Sequence, residues 1–413
     1  MVDVRASRLA IPLICLLVLA GHHLGKGFYY LAVQNSTDAL AGFNARRLEG
    51  AYLLDRVSPL SQYFEYVRQT DPTVDRFVLH ADPRSTHGPL WFGGMPPWCY
   101  PLQLVVYLPV SERLARIYLA VLDASALAVL GWFAASAVAS SGRRIAIPLL
   151  AVLSVLAIGA VNSTLTQGQS GLVVDGCLVA GCLVLRARPR SASSVAAGAL
   201  LAVAMIKPSI SVLFLLPLLL ARRVAVMAWC VAIVGAAWLA SSWWIRISPS
   251  MQLAQFDRAS LLVISTGANV LLQTAVNWLH SARAARDLFG AAGLLAALAG
   301  TWRLRTDPVA MFGVLAVVAR LFTYHSQYDD VMLAFLMIAL TARAWSQNGT
   351  LGWRLAWLTC GLSLWLPYSV YVPPGIQVLQ VGCWIGLATA LCVWVQPDRH
   401  AIAAPPRRVP CPP

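Results

Sequence analysis

The chain has 413 residues, of which 59% are hydrophobic and only 12% are charged. A soluble domain carries about 25% charged residues, so this composition excludes a soluble globular enzyme. The formal net charge of +14 would suggest nucleic-acid binding in a soluble protein. In a membrane chain it follows from basic residues kept on cytoplasmic loops, and we expect no nucleic-acid partner. The nine cysteines form no CxxC pair, which indicates neither a zinc site nor a disulfide framework.

Ten apolar segments predict membrane-spanning helices, which need roughly 17–25 residues each. The first we interpret as a retained anchor rather than a signal peptide, because its apolar stretch continues through residues 28–31. The ten segments are 9–33, 113–138, 145–161, 170–186, 224–244, 287–302, 308–323, 329–345, 353–370 and 374–396.

The stretch 194–221 is also apolar, but Lys207 and Pro208 interrupt it. Proline cannot continue the hydrogen bonding of a helix interior, so we predict two short half-helices that meet at this point. Arginines flank the stretch on both sides. We therefore expect a re-entrant helix pair that enters the membrane and returns to the same face.

Basic residues mark one face of the predicted topology. With the N-terminus in the cytoplasm, 16 of the 31 basic residues fall on inner segments, while the short outer turns 162–169 and 371–373 carry no charge. Ten crossings plus the re-entrant pair return the C-terminal tail, 397–413, to the cytoplasm. The 16 inner residues are Arg5, Arg8, Arg143, Arg144, Arg186, Arg188, Arg190, Arg222, Arg223, Arg303, Arg305, Arg343, Arg354, Arg399, Arg407 and Arg408.

Two outer segments differ from the short turns. The first, 34–97, holds seven of the 17 acidic residues, and a long mixed-charge loop in a compact membrane chain is typical of function, with a solvated connector as the alternative. The second, 246–286, is moderately apolar and predicts an interfacial helix. We predict a single all-α membrane domain over 1–413. The arginine-rich, alanine-rich and valine-rich composition indicates a bacterial source, and hence the bacterial cytoplasmic membrane.

Asp38 is the first candidate for chemistry, since it directly follows the first crossing. A carboxylate at the mouth of a membrane cavity can act as general base towards a sugar or lipid hydroxyl. The alternative is a helix cap, because aspartate caps helices well and residues 39–48 are predicted to be helical.

The uncharged turn 166–169 and the interrupted stretch at Lys207 are the next candidates. Gly168 would let the backbone approach a ligand and Gln169 would supply a neutral donor, although a plain turn explains the same pattern. A lysine in an apolar stretch is costly and indicates a functional site. At the tip of a re-entrant pair Lys207 could meet a phosphate oxygen, or its side chain could extend to the outer interface.

The last cluster lies between residues 320 and 330. His325 could hydrogen-bond a phosphate or a reacting hydroxyl, and Arg320 could serve an anionic group or pair with an acid. A divalent ion could bind the two adjacent acids, but adjacent acids on a regular element diverge, and we predict no cofactor. The titratable and phenolic residues of the cluster are Arg320, Tyr324, His325, Tyr328, Asp329 and Asp330.

These motifs, in this order, resemble family 87 of the glycosyltransferases. The family comprises integral membrane enzymes of the GT-C fold and includes PimE-like mannosyltransferases. The resemblance covers roughly residues 25–345. The motifs that carry it are Asp38 with the segment to Gly50, Tyr100-Pro101 with Pro109, Gly168-Gln169, Met205 to Pro208, and Tyr324-His325 with Tyr328-Asp329-Asp330. Leu102 stands where the family has a second proline.

The resemblance implies an inverting hexosyltransferase on the outer face of the membrane. It would move a hexose or pentose, with mannose favoured, from a polyprenyl-phosphate donor to a hydroxyl of a lipid or glycan acceptor among the membrane lipids. Asp38 would be the catalytic base, and His325 would act with it beside the donor phosphate. The residues expected to bind substrate are Lys207, Gln169, Arg320, Tyr324 and Tyr328.

The rival hypothesis is a transporter or flippase for a lipid or polar solute. In that case Asp123, Asp175, Lys207 and Asp329 would line a pathway, because ionisable residues inside membrane segments often do. Many transporters consist of inverted halves, and the sequence shows no such symmetry. The acidic outer loop and the missing second half therefore favour the enzyme.

Overall fold

The computed structural model describes residues 4–34, 40–60, 95–139, 145–187, 191–265, 270–323, 327–346, 349–366 and 374–394. Over these ranges the chain is helical and contains no β-strand, which confirms the predicted all-α class. The N-terminal half contains α1 (Val4–Ala32), α2 (Ala41–Leu54), α3 (Cys99–Gln103), α4 (Glu112–Val138), α5 (Ala146–Leu156), α6 (Gly159–Gln167), α7 (Gly171–Ala187), α8 (Ser191–Ala204), α9 (Pro208–Ser211) and α10 (Leu216–Leu220).

The C-terminal half contains α11 (Val224–Ile245), α12 (Pro249–Ser265), α13 (Val270–Leu279), α14 (Ala282–Arg303), α15 (Pro308–Phe322), α16 (Ala334–Ala344), α17 (Leu351–Trp365) and α18 (Pro374–Trp394). Two 3₁₀ helices, Val212–Leu215 and Gln327–Leu333, connect α9 to α10 and precede α16. Each predicted crossing coincides with helix over most of its described length.

Four helices of the described ranges are long and apolar enough to cross a membrane, namely Leu9–Ala32, Glu112–Val138, Val224–Ile245 and Gly375–Trp394. The pair α5 and α6, which is bent by 48°, would be a fifth. On helix length the count of ten crossings is therefore not confirmed. The surface supports a membrane setting all the same, because large apolar side chains such as Ile11, Trp243 and Leu379 are more than 70% exposed.

The break at Lys207 lies where the sequence predicts it. Helix α8 ends at Ala204, and Pro208 occupies the first turn of α9, where its missing N–H costs nothing. Gly198 in α8 packs against the backbone of Val226 and Cys230 at the start of α11. The chain turns back at this break, since Leu218 and Leu220 of α10 line the same cavity as Arg186 of α7.

The two ends of this helix bundle carry different charges. Arg186, Arg223 and Arg305 line one cavity, and we call this the arginine end. Lys207 and Asp329 form an ion pair at the other end, which we call the lysine end. Helix α15 connects them, because Pro308 lines the same cavity while Thr323, just past the helix, donates a hydrogen bond to the Ser209 carbonyl. Its 15 residues span about 22 Å.

An aromatic cluster fills the bundle between the two ends. The rings of Phe214 and Phe312 lie 5.1 Å apart, and those of Phe312 and Phe335 lie 5.5 Å apart. Phe133 of α4 contacts Phe312 and Phe335. These edge-to-face contacts join the returning arm to α4, α15 and α16 and fix its position.

The two long outer segments are described in part. Helix α2 follows the first crossing, and residues 61–94 of the predicted loop lie outside the described residues. The segment 246–286 contains two helices, α12 and α13. The sequence predicts one helix in this segment. Asp257 of α12 bonds Arg283 and Arg286 of α14, which fastens this segment to the bundle.

Candidate functional site

The centre of the candidate site is a buried ion pair. Lys207 Nζ donates to Asp329 Oδ1 at 2.6 Å, and both side chains are more than 90% buried. Extension of Lys207 to an exposed interface is therefore wrong. A buried ion pair is costly to desolvate, and its attraction repays the cost only when the geometry is good. The lysine at the re-entrant tip is thus held in place by an acid 122 positions later in the chain.

The backbone beside Lys207 is held by the segment that begins α3. Trp98 Nε1 and Cys99 Sγ both approach the Met205 carbonyl, at 3.3 and 3.4 Å. This carbonyl lies just past the end of α8, where helix carbonyls lose their intrahelical partners. The aromatic segment before the second crossing therefore stabilises the tip that carries the lysine.

Tyr328 completes the surroundings of the ammonium group. Its ring centroid lies 4.8 Å from Lys207 Nζ, within the range of a cation–π contact. Its carbonyl accepts a hydrogen bond of 2.7 Å from Thr164 Oγ1 of α6. The late polar motif and the re-entrant tip, which are far apart in sequence, meet here.

Arg320 forms a second buried ion pair, with Asp330. It also lies 5.9 Å from the ring of Trp384. Asp329 and Asp330 thus point to different cations, as predicted for adjacent acids. Within the described ranges, no group of three or more His, Cys, Asp and Glu side chains is arranged to hold a metal ion.

The turn after α6 brings the backbone close to α2. Gly168 adopts a left-handed conformation with φ of 60°, and a Cβ there would lie 2.6 Å from that of Phe43. Tyr107 donates to the Gly168 carbonyl at 3.1 Å, and burial raises the pKa of this phenol, so the donor stays protonated. Gln169 is buried, and its amide fills the space where Gly42 has no side chain.

Three predicted site residues, Asp38, Tyr324 and His325, lie outside the described residues. The described residues nearest to them in sequence meet on α6: Leu40 N donates to the Thr166 carbonyl at 3.0 Å, and Thr164 bonds Tyr328 as above. The N-cap residue of α2 is Leu40, with φ of 69° and no side-chain cap. The alternative role of Asp38 was to cap the helix that follows it. The N-cap position of α2 is occupied by Leu40 instead.

Sequence analysis missed a polar cluster under α2. Arg46 Nη1 donates to Glu49 Oε2 at 2.7 Å, and Gln103 Nε2 donates to the same oxygen at 2.9 Å. Glu49 is fully buried, although it belongs to the segment 34–97 that the sequence predicts as a long outer loop. The spacing of three between Arg46 and Glu49 on one helical face was the available signal.

Two carboxylates are buried in membrane helices without a hydrogen-bond partner among the described residues. They are Asp123 of α4 and Asp175 of α7, each with 0% exposure. Asp175 lies close enough to Lys207 and Asp329 to interact with both electrostatically. The structure thus adds Asp175 to the surroundings of the Lys207–Asp329 pair.

Comparison with known proteins found no matching protein-family model, no matching curated protein and no matching solved structure. The family resemblance therefore rests on the sequence motifs, and the function is a proposal.

Proposed function

We propose that the chain is an inverting glycosyltransferase that moves a mannose-like sugar from a polyprenyl-phosphate donor to an acceptor hydroxyl. The observation that carries the proposal is the buried Lys207–Asp329 pair beneath Tyr328, at the tip of a re-entrant helix. An ionisable pair inside an apolar bundle is expensive, and function is the usual reason for its presence.

The order of the motifs in space supports the same proposal. Leu40, two positions after Asp38, bonds Thr166 of α6, and Tyr328, three positions after His325, bonds Thr164 of the same helix. The tip with Lys207 is connected to the end of α15 through Ser209 and Thr323. These contacts of described neighbours support the proposal that Asp38, Lys207 and His325 act at one end of the bundle.

The proposed chemistry is a single displacement. The acceptor oxygen attacks the anomeric carbon and forms the new glycosidic bond, while its proton passes to the Asp38 carboxylate. The bond between the anomeric carbon and the phosphate oxygen breaks, and its electron pair leaves with the phosphate. Lys207 and His325 stabilise the negative charge that develops on this leaving group. Attack opposite the leaving group inverts the anomeric configuration.

The remaining residues are proposed to position the substrates. Gln169, buried against Gly42, supplies a neutral donor next to the turn. Tyr324 and Tyr328 provide ring surfaces for a sugar. Arg320 holds Asp330, and so fixes the segment that carries the other groups.

Ten crossings with an outward-facing site in a bacterial cytoplasmic membrane remain part of the proposal. Two of the predicted spans, 145–161 and 329–345, consist of two helical pieces each. The 3₁₀ helix Gln327–Leu333 and α16 together cover about 30 Å, the thickness of a hydrocarbon core.

The test is transfer of a radiolabelled sugar from a polyprenyl-phosphate donor in membranes that contain the native chain, Asp38→Asn or Asp55→Asn. General-base catalysis contributes about 10²–10⁴-fold to the rate of a reaction. The transfer rate of Asp38→Asn should therefore be at least about 100-fold lower than that of the native chain. The matched control is Asp55→Asn, because Asp55 is an exposed acid just past α2. This variant should retain the native transfer rate. Equal rates for all three chains would exclude Asp38 as the base.

A transporter is the second candidate, and one observation favours it. Asp123 and Asp175 are buried carboxylates without a described hydrogen-bond partner, as in proton or cation pathways. Flux of a solute into proteoliposomes, lost in Asp175→Asn, together with no sugar transfer from any polyprenyl-phosphate donor, would favour the transporter over the enzyme.

A further inference from the structure

A cavity of about 850 Å³ opens at the arginine end, on the opposite end of α15 from Thr323. It lies between the end of α7, the returning arm α9–α10, and the connection from α14 to α15. Arg186, Arg223 and Arg305 are the charged side chains among the described residues that line it. Arg186 belongs to α7, Arg223 lies between α10 and α11, and Arg305 lies between α14 and α15.

The three arginines have no acidic partner among the described residues, in contrast to Arg320 and Arg343, which pair with Asp330 and Asp307. All three are exposed at the cavity mouth. Guanidinium groups bind phosphate oxygens in bidentate fashion, so three of them around one opening form a phosphate receptor.

The rest of the cavity is apolar. Leu183, Leu218, Met311 and Phe312 line its wall, together with Phe133 from the aromatic cluster. A soluble phosphate or nucleotide would leave this surface in contact with water, whereas an acyl chain would cover it at about 25 cal/mol per Å².

The mouth of the cavity is continuous with the apolar exterior of the bundle. Leu220 lines the cavity and is 41% exposed, and Trp302 lines it and is 63% exposed. The Arg305 guanidinium stacks 4.5 Å above the Trp302 ring. Tryptophan beside arginine at the end of an apolar helix is typical of the headgroup level of a bilayer.

We propose that this cavity binds an anionic phospholipid, with its phosphate on Arg186, Arg223 and Arg305 and an acyl chain against Leu218 and Phe312. Basic pockets between transmembrane helices bind anionic headgroups in the same way. The bound lipid joins α7, the returning arm and α14–α15, and so fixes the base of the re-entrant pair whose tip carries Lys207. The site does not depend on the proposed transferase activity.

The experiment measures the melting temperature of the full chain in a neutral detergent, titrated with phosphatidylglycerol, phosphatidylcholine or glycerol phosphate. A ligand that binds only the folded state raises the melting temperature. Phosphatidylglycerol should raise it by several degrees and phosphatidylcholine much less. A rise of equal size with glycerol phosphate would show a phosphate site without the acyl chain and overturn the lipid assignment.

Two triple variants separate this cavity from general attraction between a basic protein and anionic lipid. Arg186→Gln, Arg223→Gln and Arg305→Gln together should abolish the phosphatidylglycerol effect. The matched control removes the same charge from exposed arginines elsewhere in the chain, with the substitutions Arg113→Gln, Arg246→Gln and Arg258→Gln. It should keep the effect of phosphatidylglycerol on the melting temperature. Retention of the effect in the first triple variant, or its loss in both, would contradict the proposal.

A crosslinking measurement on the native chain does not require any variant to fold. A phosphatidylglycerol with a photoreactive acyl chain should crosslink to peptides that contain residues 182–186, 217–223 or 301–312. Crosslinks confined to other peptides, such as those of α1 or α18, would place the lipid elsewhere and refute the site.

Discussion

Lys207 and Asp329 form the contact on which most of the candidate site depends. Both side chains are more than 90% buried, and their attraction compensates for the loss of water around two charges. Removal of one partner leaves the other as an uncompensated charge in an apolar interior. Removal of both eliminates the desolvation cost together with the attraction.

We therefore expect Lys207→Met or Asp329→Leu alone to destabilise the chain by about 3–5 kcal/mol, and the double variant to recover most of that loss. Thermal unfolding of the three variants in detergent measures this coupling. The control is Arg283→Met, which breaks the pair of Arg283 with Asp257, whose side chains are 62% and 36% exposed. This variant should lower the free energy of unfolding by at most about 1 kcal/mol. Additive losses in the double variant would show that the two residues do not stabilise each other.

Helix positions could be predicted from apolar segments, but the internal partners could not. The break before Pro208 follows from its missing N–H and is visible in the sequence. The pairing of Lys207 with Asp329 depends on a tertiary contact between the start of α9 and the 3₁₀ helix Gln327–Leu333, and no local pattern encodes that contact. Glu49 shows the same limit, because its burial is set by Gln103, 54 residues away.

The attachment of α12 to α14 gives a prediction at the scale of elements. The hydrogen bond and charge of Arg286 lower the pKa of the Asp257 carboxyl, and Arg283 adds to this effect. A lowered pKa means that the ionised form contributes stability above the unfolded value of about 3.9, and that this contribution disappears as the pH falls through the folded value.

The native chain should therefore melt above Asp257→Asn at pH 6, and the gap should close as the pH falls below about 4. Melting curves of both chains from pH 3 to 6 measure it. Because the pair is exposed, high salt at pH 6 should also narrow the gap. A gap that stays constant across this pH range would mean that the carboxylate charge does not hold α12 to the bundle.

The cations at the two ends of the bundle have different surroundings. At the lysine end the buried cations Lys207, Arg46 and Arg320 each contact an acid. At the arginine end Arg186 and Arg223 face a cavity without an acid among the described residues. Because basic residues without an acidic partner are enriched on the cytoplasmic side of membrane proteins, we predict that the arginine end faces the cytoplasm and the lysine end faces outside.

The orientation can be tested with single cysteines labelled by a maleimide that does not cross the membrane, in intact cells and after lysis. Arg223→Cys and Arg305→Cys should react only after lysis, whereas Asp55→Cys and Arg283→Cys should react in intact cells. All four positions are exposed on the protein surface. A cysteine that does not react in intact cells is therefore shielded by the membrane and not by burial inside the protein. The native chain, with its own cysteines, gives the background in both states. The opposite pattern would turn the site towards the cytoplasm, where a polyprenyl-phosphate sugar on the outer leaflet would not reach Lys207.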